Sequence, residues 1–198
     1  MAYRIVLMLL VTLGMAGCGT PAPQACPPLA LTASTRPNPP MLLPAAWIPE
    51  LHARCALPIG WTRDSTPKQP GSESEFWVSP TGATAFGVIS VRNFLMPLAS
   101  DDLILNKFLD GMRKSEGAGD LLEKRFNGEL QRGIGGLSFI AAGGRYTVHG
   151  NLVSSGSFAW IIYAGTRRDR QVDATELEIA VQARDATIVE PALILKQR

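Results

Sequence analysis

Two hydrophobic periods divide the chain from Trp47 onward. Leu51, Ala53, Cys55 and Leu57 alternate with His52, Arg54 and Ala56, the period of a half-buried strand. Pro58-Ile59-Gly60-Trp61 interrupts it, and Ser65 to Ser74, with Pro67, Pro70 and Gly71, reads as a loop. Glu75 to Ser79 and Ala83 to Arg92 flank Pro80-Thr81-Gly82, a hairpin pattern. The period then changes. Leu105, Phe108, Leu109 and Met112 recur at helical spacing behind Ser100, an N-cap, and Asp101-Asp102, acids favoured in a first turn. Gly117 suits the end of that helix, which spans Ser100 to Glu116.

Leu121 to Leu137 holds Gly128, Gly133, Gly135 and Gly136, too many glycines for a helix, so strands broken by turns are expected. Leu137 to Ala142 and Arg145 to Val153 lie either side of Gly143-Gly144, and Ser154 to Ser157 forms a further turn. In the second segment Tyr146, Val148 and Leu152 alternate with Arg145, Thr147, His149 and Asn151. Phe158 to Ala164 is almost wholly apolar, which predicts a central strand buried on both faces. Asp173-Ala174-Thr175-Glu176 has the form of a capping box and opens a last helix that stops before Pro191. The pattern predicts an α+β domain, an antiparallel sheet flanked by helices, over residues 47–198.

The N-terminal segment has a different character. Arg4 precedes an uncharged run from Ile5 to Ala16. Twelve helical residues reach roughly 18 Å, short of a bilayer core of about 30 Å. A signal-peptide h-region over residues 1–17 fits better. It ends in Met15-Ala16-Gly17-Cys18, which resembles the lipobox of bacterial lipoproteins, although Met15 stands where Leu is usual. The resemblance implies cleavage before Cys18, lipid on its thiol, and a place in the cell envelope. Gly19, rather than Asp, at the next position implies the periplasmic face of the outer membrane over the inner membrane. Gly19 to Ala46 carries eight of the 15 prolines and reads as a tether (residues 18–46 with the lipidated cysteine). As a polyproline-like helix at about 3.1 Å per residue, its 28 residues would span at most roughly 87 Å.

Export would place Cys26 and Cys55 in an oxidising compartment, where a disulfide is expected. It would close a 30-residue loop and contribute roughly 3–4 kcal/mol. The alternative is two independent thiols, with Cys55 buried as a small hydrophobe.

The element order resembles the PsbP-like α/β/α sandwich, including the DcrB-like periplasmic lipoproteins. The matching pieces are Leu57-Pro58-Ile59-Gly60-Trp61, the helix at Ser100–Glu116, the Phe158–Ala164 strand and the closing helix from Asp173. The resemblance implies no catalytic residue set. It implies a module that binds or assembles with partners, which is fold-level analogy.

Chemistry-bearing residues are sparse. The net charge of +2 is too balanced for a nucleic-acid footprint. No Cys-x-x-Cys or histidine pair suggests a metal, and no cofactor motif occurs. Gly133-Ile134-Gly135-Gly136 lacks the Lys-Ser/Thr of a phosphate loop. There is no Gly-x-Ser-x-Gly elbow for a hydrolase. His52 and His149 fall on the polar side of alternating segments and are expected in solvent. Arg167-Arg168-Asp169-Arg170 reads as a solvated turn rather than a phosphate or glycan contact, and Trp47, Trp61, Trp77 and Trp160 as core. The sequence therefore predicts a non-enzymatic envelope module for a protein or small ligand. A structural subunit of an envelope complex is the alternative, and a hydrolase is less favoured.

Overall fold

A computed structural model describes residues 41–64, 72–92, 99–131 and 134–190. Cys18, Cys26 and the rest of residues 1–40 lie outside the described residues, as does the lipobox reading. The strands are β1 (Ala46–Ile48), β2 (Ala53–Cys55), β3 (Thr62–Asp64), β4 (Ser72–Val78), β5 (Thr84–Arg92), β6 (Gly119–Gln131), β7 (Ile134–Gly143), β8 (Tyr146–Ser155), β9 (Phe158–Arg167) and β10 (Ile188–Val189). The α-helices are α1 (Asp101–Glu116) and α2 (Ala174–Ala186).

Seven strands form one antiparallel sheet in the order β3-β4-β5-β9-β8-β7-β6. The apolar run from Phe158 is the middle strand, β9, with Phe158 to Gly165 buried throughout. Successive side chains point to opposite faces of a strand, and the core divides accordingly. Ile89, Ile161, Leu152 and Leu137 pack with Leu105, Phe108, Leu109 and Met112 of α1. Their neighbours Val88, Ile162 and Val153 pack with Ala180 and Ala183 of α2. The helices thus cover opposite faces, and they are offset. Helix α1 lies over β6, β7 and β8, whereas α2 lies mainly over β9 and β5. On the α2 side, the outer strands β6 and β7 are left without a helix.

The caps follow the sequence at α1. Ser100 accepts a hydrogen bond from the Leu103 amide at 3.2 Å, and Gly117 closes the helix at φ 76°, a conformation glycine adopts without strain. Asp102 pairs with Lys124 of β6, and Asp101 accepts from the Ser154 hydroxyl, so the acids also fasten α1 to the sheet. At α2 the capping box is only half formed. Asp173 accepts from the Thr175 amide. Glu176 does not reach back; it turns to the β4–β5 hairpin and accepts from the Thr81 amide and hydroxyl. A buried carboxylate gains more from two donors on a neighbouring turn than from an exposed cap.

The segment at 51–57 departs from expectation. Pro49–Leu51 forms a 3-10 turn, His52 takes a left-handed φ of 50°, and only Ala53–Cys55 is a strand. Alternation around a short strand mimics a longer one. β2 pairs with β1 and β10 in a separate three-stranded sheet, which the sequence did not suggest. Leu43 and Ile59 bond to Leu57 and Met41 across a bridge from Leu42 to Pro58. Residues 41–46, at the end of the proline-rich segment, therefore belong to the folded domain.

Cys55 is a free thiol at 0% exposure in the core beneath α2. The bridge to Cys26 is not seen, and Cys26 lies outside the described residues. Burial pushes the Cys55 thiol up to about 12, with a smaller push from Glu75, against a Thr187 hydrogen bond that lowers it. The thiolate is the reactive form, and burial disfavours it here. A maleimide should therefore label Cys55 only after denaturation. Labelling in denaturant without reductant supports a free thiol. Labelling that requires prior reduction would establish the disulfide instead.

Candidate functional site

The uncovered sheet face on the α2 side carries three transverse rows. Glu123, Ile140 and His149 stand opposite one another across β6, β7 and β8. Arg125, Ser138 and Asn151 form the next row, and Asn127, Gly136 and Val153 the third. Residues opposite each other in a ladder share a face. Gly136 has no room for a side chain: a Cβ there would lie 2.3 Å from the Leu152 carbonyl oxygen.

The first two rows and Asn127 floor a cleft of ≈ 270 Å³, with Arg184 from the last turn of α2 as its wall. The Asn127 amide donates to Ser138 Oγ at 2.7 Å, and Ser138 donates to Asn151 Oδ1 at 2.9 Å. Arg184 donates to the His149 carbonyl oxygen at 3.3 Å and pairs with Asp185 at 2.8 Å. A cation in the last turn of a helix also meets the negative end of the helix dipole.

Both histidines are half-buried rather than solvent-facing. Burial, followed by the Arg184 guanidinium, lowers the His149 pKa, and Glu123 partly offsets this. Burial, followed by Arg92, lowers that of His52. The His52 ring packs edge-on against Phe158 at 4.9 Å and lies 6.3 Å from Trp47. His149 does alternate onto the polar face, but α2 overhangs part of that face.

The two shifts imply acid lability. Unfolded histidines take up protons near pH 6.5, whereas the folded ones do so only lower. Between those values the unfolded chain binds more protons, so stability falls as pH drops through 6.5. Thermal unfolding should have a level midpoint above pH 7 that declines below 6.5. His149→Gln should flatten the decline, and an unchanged slope would remove His149 as a cause.

The other chemistry-bearing residues are structurally engaged. Arg167 holds Asp169 through two hydrogen bonds, Arg168 donates to the Gly143 carbonyl oxygen and Arg170 to that of Thr81. Trp77 and Trp160 are core, but Trp47 and Trp61 are half-buried. Among the described residues no group of three His, Cys, Asp or Glu could hold a metal, and no helix is long and apolar enough to cross a membrane. The sequence marks His149 and Asn151 as the polar side of one strand but does not single out Glu123, Arg125, Asn127, Ser138 or Arg184. A usable signal existed in the spacing of Glu123, Arg125 and Asn127 two residues apart, which puts all three on one strand face.

Neither a family model nor a curated protein matches the chain by sequence. Among solved structures, the cyanobacterial PsbP protein CyanoP from Synechocystis sp. PCC 6803 superposes with a TM-score of 0.56. The match covers 80% of this chain and 98% of that one. The domain is PsbP-like in fold. At 12% identity the likeness concerns the fold alone. Lower-scoring matches to the PsbP-like domain include PA94 from Pseudomonas aeruginosa, with TM-score 0.44, 14% identity and coverage of 76% and 99% of the two chains. Another is LpqN of Mycobacterium tuberculosis, described as involved in cell envelope biogenesis, with TM-score 0.38, 14% identity and coverage of 70% and 83%.

Proposed function

We propose that this chain is a bacterial envelope lipoprotein, anchored by lipid on Cys18, whose PsbP-like domain is a non-enzymatic binding module. The observation that carries the anchoring is Met15-Ala16-Gly17-Cys18 at the end of an uncharged run too short to span a bilayer. Several acyl chains on one cysteine hold a protein stably where one would not. The proline-rich segment behind it serves as the spacer, and Gly19 favours the periplasmic face of the outer membrane.

The binding reading rests on the cleft. It gathers amides, a hydroxyl, two guanidiniums, a carboxylate and an imidazole in one concave place. What it lacks is a poised nucleophile. The Ser138 hydroxyl donates to an amide oxygen, not to a base, so nothing activates it for acyl transfer. A photo-crosslinker at position 140 on the cleft floor of the full membrane-bound chain should capture a defined envelope component. One at Lys107, exposed on α1, should not. Equal capture at both positions, or at neither, contradicts the binding reading.

One observation favours the alternative of a structural subunit. Among the described residues β6 is an edge strand of the sheet, and Leu122 and Phe126 on it are 63% and 67% exposed. Exposed apolar side chains on an edge strand invite a protein neighbour. The native size of the full chain in detergent separates the readings, since a subunit would migrate with stable companions.

A further inference from the structure

The cleft has hydrogen-bonding capacity left over once its internal bonds are counted. A side-chain amide offers two donors and one acceptor oxygen, and a hydroxyl offers one donor. Asn127 spends one donor on Ser138, and Ser138 spends its donor on Asn151. Asn127 keeps its Oδ1 acceptor and a second donor, while Asn151 keeps both Nδ2 donors. Acceptor and donor standing on neighbouring rows suit hydroxyl groups, which are both at once.

The charges add a second requirement. Arg125 shares the row of Ser138 and Asn151, is exposed, and has no ion pair among the described residues. A guanidinium offers a planar fork matched to a carboxylate. Two lining arginines face one lining carboxylate, Glu123. Arg184 is already committed to Asp185 and the His149 carbonyl oxygen, which leaves Arg125 as the free anion receptor. The space, ≈ 270 Å³, lies just below the range of about 300–1,000 Å³ for small-molecule sites and suits one ring rather than an extended chain.

We propose that this cleft binds an acidic sugar, a hydroxylated ring bearing one carboxylate, with Arg125 on the carboxylate and Asn127 and Asn151 on the hydroxyls. The proposal rests on the reading of the domain as a binding module. The same ring could arrive free or as a residue of a surface glycan, and the two sources present the same chemistry to the cleft.

The test is a saturation-transfer NMR titration of the full chain in detergent micelles. D-glucuronate supplies both parts of the ligand, D-glucose the ring alone and acetate the carboxylate alone. Glucuronate should bind at least about tenfold more tightly than either, since a hydrogen bond to a charged group is worth about 1.5–3 kcal/mol and 1.4 kcal/mol is tenfold. Arg125→Gln should erase the preference for glucuronate over glucose and leave glucose unchanged. Glu123→Gln, which removes a repelling charge, should tighten glucuronate. Both side chains are exposed, so both variants should fold. A glucuronate tetramer that binds tenfold more tightly than the monomer assigns the site to a glycan, and equal binding assigns it to a free acid. Acetate or glucose binding as tightly as glucuronate overturns the proposal, as does an indifferent Arg125→Gln. Silence from every probe alongside retained crosslinking at position 140 overturns the acidic sugar but keeps the binding module. Loss of both overturns both.

Discussion

Trp160→Ala should destabilise the domain by about 3–5 kcal/mol for the deleted ring and the cavity it leaves. Trp160 is wholly buried in β9, the middle strand, and stacks on Phe158 with ring centroids 5.6 Å apart. Its Nε1–H also donates to the Leu51 carbonyl oxygen at 2.8 Å, across 109 residues. That bond ties the main sheet to the 3-10 turn that leads into the smaller one. Breaking it orphans a buried acceptor, which costs about 1–3 kcal/mol further. Domains are commonly stable by only about 5–15 kcal/mol, so this one change removes a large share. Trp160→Phe separates the two contributions, because it keeps most of the ring and loses the donor. Urea unfolding should rank the wild type above Trp160→Phe and that above Trp160→Ala. A Trp160→Ala loss below about 1 kcal/mol would contradict the packing described, since buried aromatic truncations cost several times that.

Trp160 also shows what was legible in the sequence. An unbroken apolar run from Phe158 to Ala164 identifies a strand covered on both sides, and it is the middle strand of seven. The α1 cap, stripe and stop are local chemistry and read directly from Ser100, Leu105 and Gly117. β1 and β10 were not legible, because strands of three and two residues carry no period. Their pairing with β2 joins residue 46 to the far end of the chain, and only the folded body brings those segments together.

The candidate site was legible in pieces. His149 and Asn151 stood out as the polar side of an alternating strand. Glu123, Arg125 and Asn127 were obscured because glycines made the 121–137 segment ambiguous and two register shifts interrupt β6. Arg184 completes the cleft from a helix 33 residues beyond Asn151, and no spacing rule links them. Glu176 taught the opposite lesson. Its position fits a capping box, yet the hairpin turn at Thr81 takes the carboxylate. Local signals named the groups, and tertiary packing decided their partners.

If the domain works from a lipid anchor, that anchor is the Cys18 thiol, and Cys18→Ala removes it. In the native bacterial envelope the wild-type chain should incorporate labelled palmitate and sediment with membranes. Without the thiol there is no acceptor for diacylglycerol, and the remaining surface has neither a long apolar helix among the described residues nor a strongly basic charge to hold it. The effect should be close to all-or-none, because a covalent chain contributes about 0.8 kcal/mol for each buried CH₂. Cys18→Ala should abolish palmitate labelling and move the chain from the membrane to the soluble fraction. Palmitate labelling that persists in Cys18→Ala would rule out anchoring through that thiol.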